Sequence, residues 1–374
     1  MKKIDLYPAL DFSFSQLADE EKLVVFCSRT TLPEGSKKEV RSLIRSGLDW
    51  DYFLTLAKTY RVTPFVHKHF QPFLDEIPGP VKQKLREHAG YIFASNIKGT
   101  ENLRYITKLF REKDIEVLFI KGARLMFDIY KERGLRLFTD IDILAKDFRR
   151  TGKILKDEGF KPYESRGIFS HYRAQRMYEL NGKIYLDVHK DFIGRMLHSR
   201  MLNIDRKKIW ADKKKISQDG IEFYAMDLVH TLLYLSLHVS LQHSFSGLIW
   251  YVDIHELVEK RGDEIDWREV LKLAGEYKIK RPVYYTLLFT KRMFGTPVPD
   301  HVFDELKKVE RKLDWWVFKK IKSRNAETDY FAELAMFDSM ADTIKFILIS
   351  LIIYPYLIPH FLRIFAKMLK FRPS

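Results

Sequence analysis

Two aspartates lie inside one short apolar stretch of the chain, and this stretch constrains the fold more than any other. In residues 136–148, RLFTDIDILAKDF, Asp140 and Asp142 flank a single isoleucine and further apolar residues follow. The apolar residues predict a buried strand, on which side chains two residues apart point to the same face. Two carboxylates about 5 Å apart repel by roughly 3 kcal/mol at an effective dielectric of about 20. A chain that buries this strand therefore needs positive charge beside the two aspartates.

Strand-like and helix-like segments alternate around this stretch, from residue 115 to residue 192. The periods of the apolar residues predict strands for IEVLFIKG, DIDILA, HYRAQRMYEL and KIYLDVHK, and helices for ARLMFDIYKE and FRRTGKILKDEGF. Asn181-Gly182 joins the last two strands, and Asn-Gly between two such runs is the strongest short hairpin signal. The region therefore predicts a small mixed α/β unit.

Helical periodicity dominates both sides of this unit, over residues 14–112 and 227–335. The predicted fold class is α+β (mixed), with a small mixed sheet flanked by helical domains and helix predominating overall. The predicted division is an N-terminal helical domain over residues 1–112, the mixed-sheet unit over 113–200, a C-terminal helical domain over 201–340, and an apolar and basic C-terminal segment over 341–374.

Composition limits the partners and the compartment. A single cysteine, Cys27, excludes a disulfide framework and a zinc site built from several cysteines. No signal peptide is predicted, because the basic N-terminus lacks a long apolar core, so a cytoplasmic location is expected. The 65 Lys and Arg against 50 Asp and Glu give a net charge of +15. This excess favours anionic partners such as nucleotides, nucleic acid or acidic lipid, although scattered lysines are equally typical of a solvated basic face.

The C-terminal segment carries an apolar run, FILISLIIYPYLIP, over residues 346–359. The run is shorter than the ~20 residues of a membrane-spanning helix, and two prolines interrupt it. Four basic residues follow, namely Arg363, Lys367, Lys370 and Arg372. Two interpretations remain: a buried C-terminal helix pair, or peripheral contact of residues 346–372 with the inner face of a membrane.

A third carboxylate, Asp187, lies in the second strand of the predicted hairpin, with His189 on the same face. If this hairpin pairs with the DIDIL strand, Asp187 lies beside Asp140 and Asp142. Mg²⁺ and Mn²⁺ prefer hard oxygen ligands and bind through a few carboxylates together with substrate phosphates. The sequence therefore predicts a metal site here; a solvated strand edge is the alternative.

Upstream, Lys121-Gly122 ends a predicted strand and begins a predicted helix. Backbone N–H groups at a helix start can face an anion, and the lysine adds positive charge. An ordinary tight turn would have the same local sequence. Next to the paired aspartates, we interpret the turn as half of a phosphate site.

These motifs together resemble the uncharacterised nucleotidyltransferase family of the DNA-polymerase-β-like nucleotidyltransferase superfamily. The resemblance is specific over about residues 115–192 and continues more weakly through LSLHVSLQHSFSGLIWYVDIHEL. The matching elements are Lys121-Gly122, Arg136, Thr139-Asp140-Ile141-Asp142, Gly159-Phe160 and Asp187-Val188-His189.

The resemblance implies a small mixed sheet and the transfer of a nucleoside monophosphate from a nucleoside triphosphate (NTP), such as ATP, to an acceptor hydroxyl, with release of pyrophosphate. It implies that Asp140 and Asp142 bind Mg²⁺ or Mn²⁺ and that Asp187 is a third metal ligand or the base for the acceptor. The residues expected at the nucleotide are Lys121, Gly122, Arg136, Thr139 and His189.

The acceptor stays open between a protein side chain, a small molecule or glycan, and an RNA end. Two other functions also stay open: a non-catalytic nucleotide-binding or regulatory module of the same fold, and a basic protein that binds nucleic acid or a membrane surface. Arg136 could instead anchor its loop to the acidic strand. His238 and His243 are five residues apart, an awkward spacing for one helix face, so we expect them to line the cleft or pack helices rather than bind zinc.

Overall fold

A computed structural model describes residues 17–163, 174–193, 201–311, 314 and 333–353. Helices make up most of this part of the chain, and several begin after an aspartate, such as Asp147, Asp227 and Asp266, whose carboxylate accepts a hydrogen bond from a first-turn N–H. The helices are α1 (Asp19–Cys27), α2 (Ser36–Ile44), α3 (Trp50–Thr59), α4 (Thr63–Phe70), α5 (Gly79–Glu112), α6 (Lys121–Leu125), α7 (Phe148–Asp157), α8 (Arg206–Ala211), α9 (Leu228–Leu237), α10 (Leu248–Arg261), α11 (Trp267–Glu276), α12 (Lys280–Phe294), α13 (Asp300–Leu306) and α14 (Met340–Ile353).

The described strands form one mixed sheet of seven, in the order β3-β4-β5-β2-β1-β7-β6. The central strand β2 pairs antiparallel with β1 and parallel with β5. The α+β prediction is confirmed. The strands are β1 (Val117–Phe119), β2 (Ile141–Ala145), β3 (Lys161–Tyr163), β4 (Gln175–Leu180), β5 (Ile184–His189), β6 (Lys214–Gln218) and β7 (Ile221–Ala225).

Two hairpins in the sheet turn at the same kind of dipeptide. Asn181-Gly182 lies between β4 and β5 as predicted, with φ of 54° and 63°. Asp219-Gly220 lies between β6 and β7, with φ of 56° and 71°. This second hairpin was not predicted from the sequence, although Asp-Gly is as strong a signal as Asn-Gly. The sheet therefore extends to residue 225.

The two faces of β2 belong to two different hydrophobic cores. Ile141 and Ile143 pack into the core that contains the buried residues at the C-terminal end of the long helix α5. Leu144 packs into the larger core, which joins the N-terminal helices to α9, α10 and α12. Asp142 lies two residues before Leu144, so its carboxylate points to the same side as this larger helical core. The alternation of β2 thus explains why an aspartate is buried here.

The close contact between α5 and the segment leading into β2 gives a stability prediction. A Cβ on Gly99 would lie 2.6 Å from Cδ1 of Phe138, a buried ring two residues before Asp140. We expect Gly99→Ala to lower the free energy of unfolding by about 1–3 kcal/mol, because the ring must shift in a packed core. Urea denaturation measures this loss.

Gly90 on the same helix is the matched control. It is exposed, and nothing lies within 4 Å of its added Cβ. Gly90→Ala should stabilise the protein by about 0.5–1 kcal/mol through helix propensity alone. If the two variants changed stability in the same direction, the proposed contact of α5 with Phe138 would be wrong.

At the C-terminal end of the described chain, α14 exposes a stripe of apolar side chains at four-residue spacing. Met340, Ile344, Leu348 and Ile352 are each more than half exposed, whereas Phe346 on another face is buried. Of the segment predicted to contact a membrane, residues 354–372 lie outside the described residues. Within the described ranges, no helix is both long enough and apolar enough to cross a bilayer.

Candidate active site

Parallel pairing of β2 with β5 brings two of the predicted carboxylates together. Asp142 lies opposite Asp187, and Leu144 lies opposite His189. Nε2 of His189 is 3.3 Å from Oδ1 of Asp142 and 3.2 Å from Oδ2 of Asp187. Gln175 on β4 donates from Nε2 to the same Asp187 oxygen at 3.1 Å. The three side chains Asp142, Asp187 and His189 are all buried and converge on one point.

Lys121 supplies the positive charge that the paired aspartates require. Its Nζ lies 2.6 Å from Oδ1 of Asp142 and 3.4 Å from Nε2 of His189. Burial disfavours an ionised carboxylate, but Lys121 and His189 together outweigh it and hold the pKa of Asp142 below its usual value. The pKa of His189 is raised despite burial and the nearby ammonium, because Asp187 and Asp142 favour the imidazolium.

Asp140 occupies a different environment from Asp142. It is partly exposed, and its Oδ1 accepts a hydrogen bond from Thr139 Oγ1 at 3.1 Å. Burial, and next the negative charge of Asp142, raise the pKa of the Asp140 carboxyl. Asp140 does not join the converging group formed by Asp142, Asp187 and His189. It lines the adjoining cavity together with Asp142.

The raised pKa of Asp140 predicts that this residue costs stability when no metal is present. A carboxyl with a raised folded-state pKa favours the native state only when protonated, so stability falls as pH rises from about 3.8 through that raised pKa. In chelator at pH 7, Asp140→Asn should raise the free energy of unfolding by about 1 kcal/mol. The gain should vanish below pH 3.8. Urea denaturation at pH 7 and below pH 3.8 measures both differences. An Asp140→Asn variant less stable than the wild type at pH 7 would contradict a raised pKa of Asp140.

A cavity of about 420 Å³ opens beside this cluster. Its wall combines residues of the sheet unit with residues of the helices before and after it. Four lining residues were not singled out from the sequence, namely Arg61, Gln175, Gln242 and Trp250. Of these, Gln242 and Trp250 lie in the stretch of the weaker downstream match. The cavity is lined by Arg61, Lys121, Gly122, Arg136, Leu137, Phe138, Thr139, Asp140, Asp142, Gln175, His238, Gln242, His243 and Trp250.

A π-helical turn over His238–Gln242 explains how two histidines five residues apart reach the same wall. The N–H of His243 donates to the carbonyl of His238 at 3.1 Å, and the two ring centroids are 4.4 Å apart. Both rings pack against Trp250, at 4.8 and 4.7 Å. A spacing of five residues is awkward for one face of an α-helix, but a π-helical turn places residues i and i+5 side by side. The expectation that these histidines line the cleft fits their position.

His238 presents a defined hydrogen-bonding face inside this wall. Its Nδ1 lies 2.6 Å from Oε1 of Gln242, so Nδ1 carries the proton and donates it. Burial and the neighbouring His243 hold the pKa of His238 well below its usual value, so the ring is neutral at pH 7. Its buried Nε2 has no hydrogen-bond partner among the described residues.

Arg136 anchors its loop to a helix rather than to the acidic strand. Its Nε and Nη2 donate to the two carboxylate oxygens of Asp253 on α10, at 2.8 and 2.9 Å. Tyr130 donates from its hydroxyl to the same carboxylate at 2.7 Å. Both charged partners are at least 96% buried as side chains. The alternative that Arg136 anchors its loop to the acidic strand was therefore wrong, because its partner is Asp253 on α10. A contact of Arg136 with the nucleotide stays a prediction.

The converging cluster has the donors that a divalent cation requires. One oxygen each from Asp142 and Asp187 and one nitrogen of His189 lie within 4.8 Å of one another. A second oxygen of Asp187, Oδ1, is buried without a hydrogen-bond partner in the described part of the chain. Carboxylate oxygens with one imidazole suit Mn²⁺ and, completed by water, Mg²⁺. The residues therefore fit a divalent metal, provided that Lys121 leaves Asp142 and that Nε2 of His189 gives up its proton.

Comparison with known proteins assigns the chain to a family. Residues 46–295 match the model of the family described as uncharacterised nucleotidyltransferase. The match spans more than half of the chain, so the protein belongs to this family, and the resemblance inferred from the motifs is confirmed.

Further comparisons add little to this assignment. A crystal structure of an antigenic nucleotidyltransferase-like protein from Paracoccidioides brasiliensis is 13% identical to the chain, covering 57% of this chain and 94% of that one, with a TM-score of 0.33. A likeness this weak carries no argument here. The comparison with curated proteins finds no match.

Proposed function

We propose that the protein is a metal-dependent nucleotidyltransferase that moves a nucleoside monophosphate from an NTP to an acceptor hydroxyl and releases pyrophosphate. The observation that carries the proposal is the convergence of Asp142, Asp187 and His189 beside Lys121, at the wall of a cavity that Asp140 also lines. Such a cluster of buried charge is costly for stability alone. Family membership supports the same reaction class.

In this proposal, Asp140, Asp142 and Asp187 hold Mg²⁺ or Mn²⁺. The bound ion would neutralise charge that develops on the phosphates during transfer. Lys121 and the backbone at Gly122 bind the phosphates from one side of the cavity, and Thr139 orients the Asp140 carboxylate through its hydrogen bond. Before the metal binds, His189 holds Asp142 and Asp187 in register, and it then adds Nε2 to the metal's ligands. Arg136 fixes the loop that carries Thr139 and Asp140.

The acceptor hydroxyl enters the cavity from the side formed by the helices, where the neutral His238 offers a free lone pair. The oxygen of this hydroxyl attacks the α-phosphorus and gives its proton to Asp187, whose Oδ1 has no hydrogen-bond partner among the described residues. The bond from that phosphorus to the bridging oxygen breaks, and pyrophosphate leaves. ATP is the first donor to test, with a protein, a glycan or small molecule, and an RNA end as acceptor classes. We propose that residues 113–200 form the catalytic unit and that the helical domains select the acceptor.

The proposed location is cytoplasmic, with peripheral contact to the inner face of a membrane through residues 346–372. The exposed apolar stripe of α14 supports this contact. The sequence that follows α14 also supports this contact, because its Lys and Arg residues are not balanced by any acidic residue after Asp342.

A labelling assay tests the proposed reaction. The protein is incubated with each NTP radiolabelled at the α-phosphate, with Mg²⁺ or Mn²⁺, and with separate pools of cellular protein, RNA and lipid-linked glycan. Label that enters one pool together with stoichiometric pyrophosphate release supports nucleotidyl transfer and identifies the acceptor class. Metal-dependent NTP binding without pyrophosphate release from any pool would favour the non-catalytic nucleotide-binding module.

A further inference from the structure

Lys121 occupies the position next to the donor atoms where a divalent metal would lie. Its ammonium is 2.6 Å from the Asp142 oxygen and 3.4 Å from the His189 nitrogen, and both of these atoms belong to the converging donor group. The side chain of Lys121 is only 13% exposed, and that of Asp142 is 6% exposed. Lysine and metal therefore compete for the same carboxylate.

The backbone holds Lys121 in this place. Lys121 follows directly after the segment in which Ile120 donates its N–H to the carbonyl of Asp142 at 3.0 Å. Lys121 itself has a φ of 49°, in the left-handed region that a lysine rarely adopts. The ammonium therefore reaches Asp142 from a fixed point on the neighbouring chain, and a metal bound to Asp142 would meet it at close range, where two cations repel strongly.

A displaced ammonium needs another anion close to Asp142. Lys121 lines the cavity, and the described carboxylates on that lining are Asp140 and Asp142, which the metal itself would use. The phosphates of an NTP would bring negative charge into the same cavity. An ammonium that turns from Asp142 to a phosphate stays paired and leaves the carboxylate open for the metal.

We propose that Lys121 couples metal binding to nucleotide binding. Its ammonium pairs with Asp142 and prevents a divalent cation from binding there until the phosphates of an NTP bind the ammonium instead. This inference rests on the proposed function, because it requires an NTP in the cavity. It makes Lys121 a positioning residue. Removal of its ammonium should tighten the binding of the metal and weaken the binding of the NTP. The metal alone binds weakly to the wild type, and metal and NTP each tighten the binding of the other, as linkage requires.

Titration with Mn²⁺ alone, followed by electron paramagnetic resonance of the free ion, tests the competition without any acceptor. We expect Lys121→Met to bind Mn²⁺ at least about tenfold more tightly than the wild type. With saturating Mn²⁺, the same variant should bind ATP at least about tenfold more weakly, because the phosphates lose a charged partner. Lys146→Met is the control, since Lys146 is half exposed, pairs with Glu116 and follows β2 at its other end.

Lys121→Gln provides a second variant if the methionine variant fails to fold, because a neutral amide can still donate to Asp142. It should also bind Mn²⁺ more tightly. Unchanged or weaker Mn²⁺ binding by a folded Lys121 variant would overturn the proposal, and so would ATP affinity that is independent of Mn²⁺. If the wild type bound no NTP at all, the proposed function would fail as well, but the Mn²⁺ titration of the variants would still decide whether lysine and metal compete.

Discussion

Asp140→Asn should lower metal-dependent pyrophosphate release by about 10³-fold or more while leaving the protein at least as stable as the wild type. A metal that neutralises developing charge contributes several kcal/mol to a transition state, and each 1.36 kcal/mol is about a factor of ten in rate. Within the described ranges Asp140 makes no ion pair, unlike Asp142, whose replacement by Asn would leave the Lys121 ammonium without its carboxylate. Asp140 is therefore the cleaner position at which to test the chemistry.

Pyrophosphate release and urea denaturation of the same samples measure the two halves of this prediction. Asp157→Asn is the matched control, because Asp157 is an exposed aspartate at the end of α7 in the same unit. Its rate should equal that of the wild type. A folded Asp140→Asn variant with an undiminished rate would contradict the assignment of Asp140 to the metal.

Arg136→Met should lower the free energy of unfolding by about 3–5 kcal/mol, because it leaves the Asp253 carboxylate buried with Tyr130 as its only side-chain donor among the described residues. The pair joins the loop that leads into β2 to helix α10, so the loss should also loosen the position of Asp140. Arg133→Met, three residues away, is the control. Arg133 is about one-third exposed and pairs with a similarly exposed Asp219, so its loss should cost no more than about 1 kcal/mol.

The double variant Arg136→Met/Asp253→Leu separates the charge pair from simple packing. Removing both partners removes the unpaired buried charge, so much of the stability lost in Arg136→Met should return. Chemical denaturation of the four proteins gives the coupling energy between the two residues. Losses that simply add would mean that the two side chains act independently, contrary to the bidentate contact.

Local sequence patterns predicted the strand that carries the aspartates and the hairpin that carries Asp187. The apolar alternation predicts the strand, and the same alternation together with one turn dipeptide predicts the hairpin. The same turn rule applied to Asp219-Gly220 would have predicted β6 and β7 as well. These elements depend on neighbours within a few residues, which a single sequence displays directly.

Pairings across the chain are not visible in one sequence. The sequence led us to assign Lys121 to phosphate, but its partner in the fold is Asp142, because β1 and β2 are adjacent strands. The partner of Arg136 is Asp253, more than a hundred residues away. Arg61 reaches the cavity from the turn between α3 and α4, and no local motif marks it.

One backbone irregularity gives the cavity wall a geometry that the sequence did not predict. Spacing rules for an α-helix separate His238 from His243, but a single π turn puts them in contact. A π turn has no strong sequence signature, so the rule predicted the wrong geometry even though the helix itself was predicted correctly. Such turns are frequent at functional sites, which is consistent with their place beside Trp250 here.

Isothermal calorimetry of NTP binding shows whether these aspartates hold a metal for a nucleotide. ATP, CTP, GTP and UTP would each be titrated into the wild type and into Asp140→Asn, with Mg²⁺, with Mn²⁺ and in chelator. The account predicts that at least one NTP binds, that the metal tightens its binding, and that Asp140→Asn removes this metal effect. Absence of NTP binding to the folded protein, or binding that neither the metal nor Asp140→Asn changes, would contradict the proposal that these aspartates hold a metal for nucleotidyl transfer.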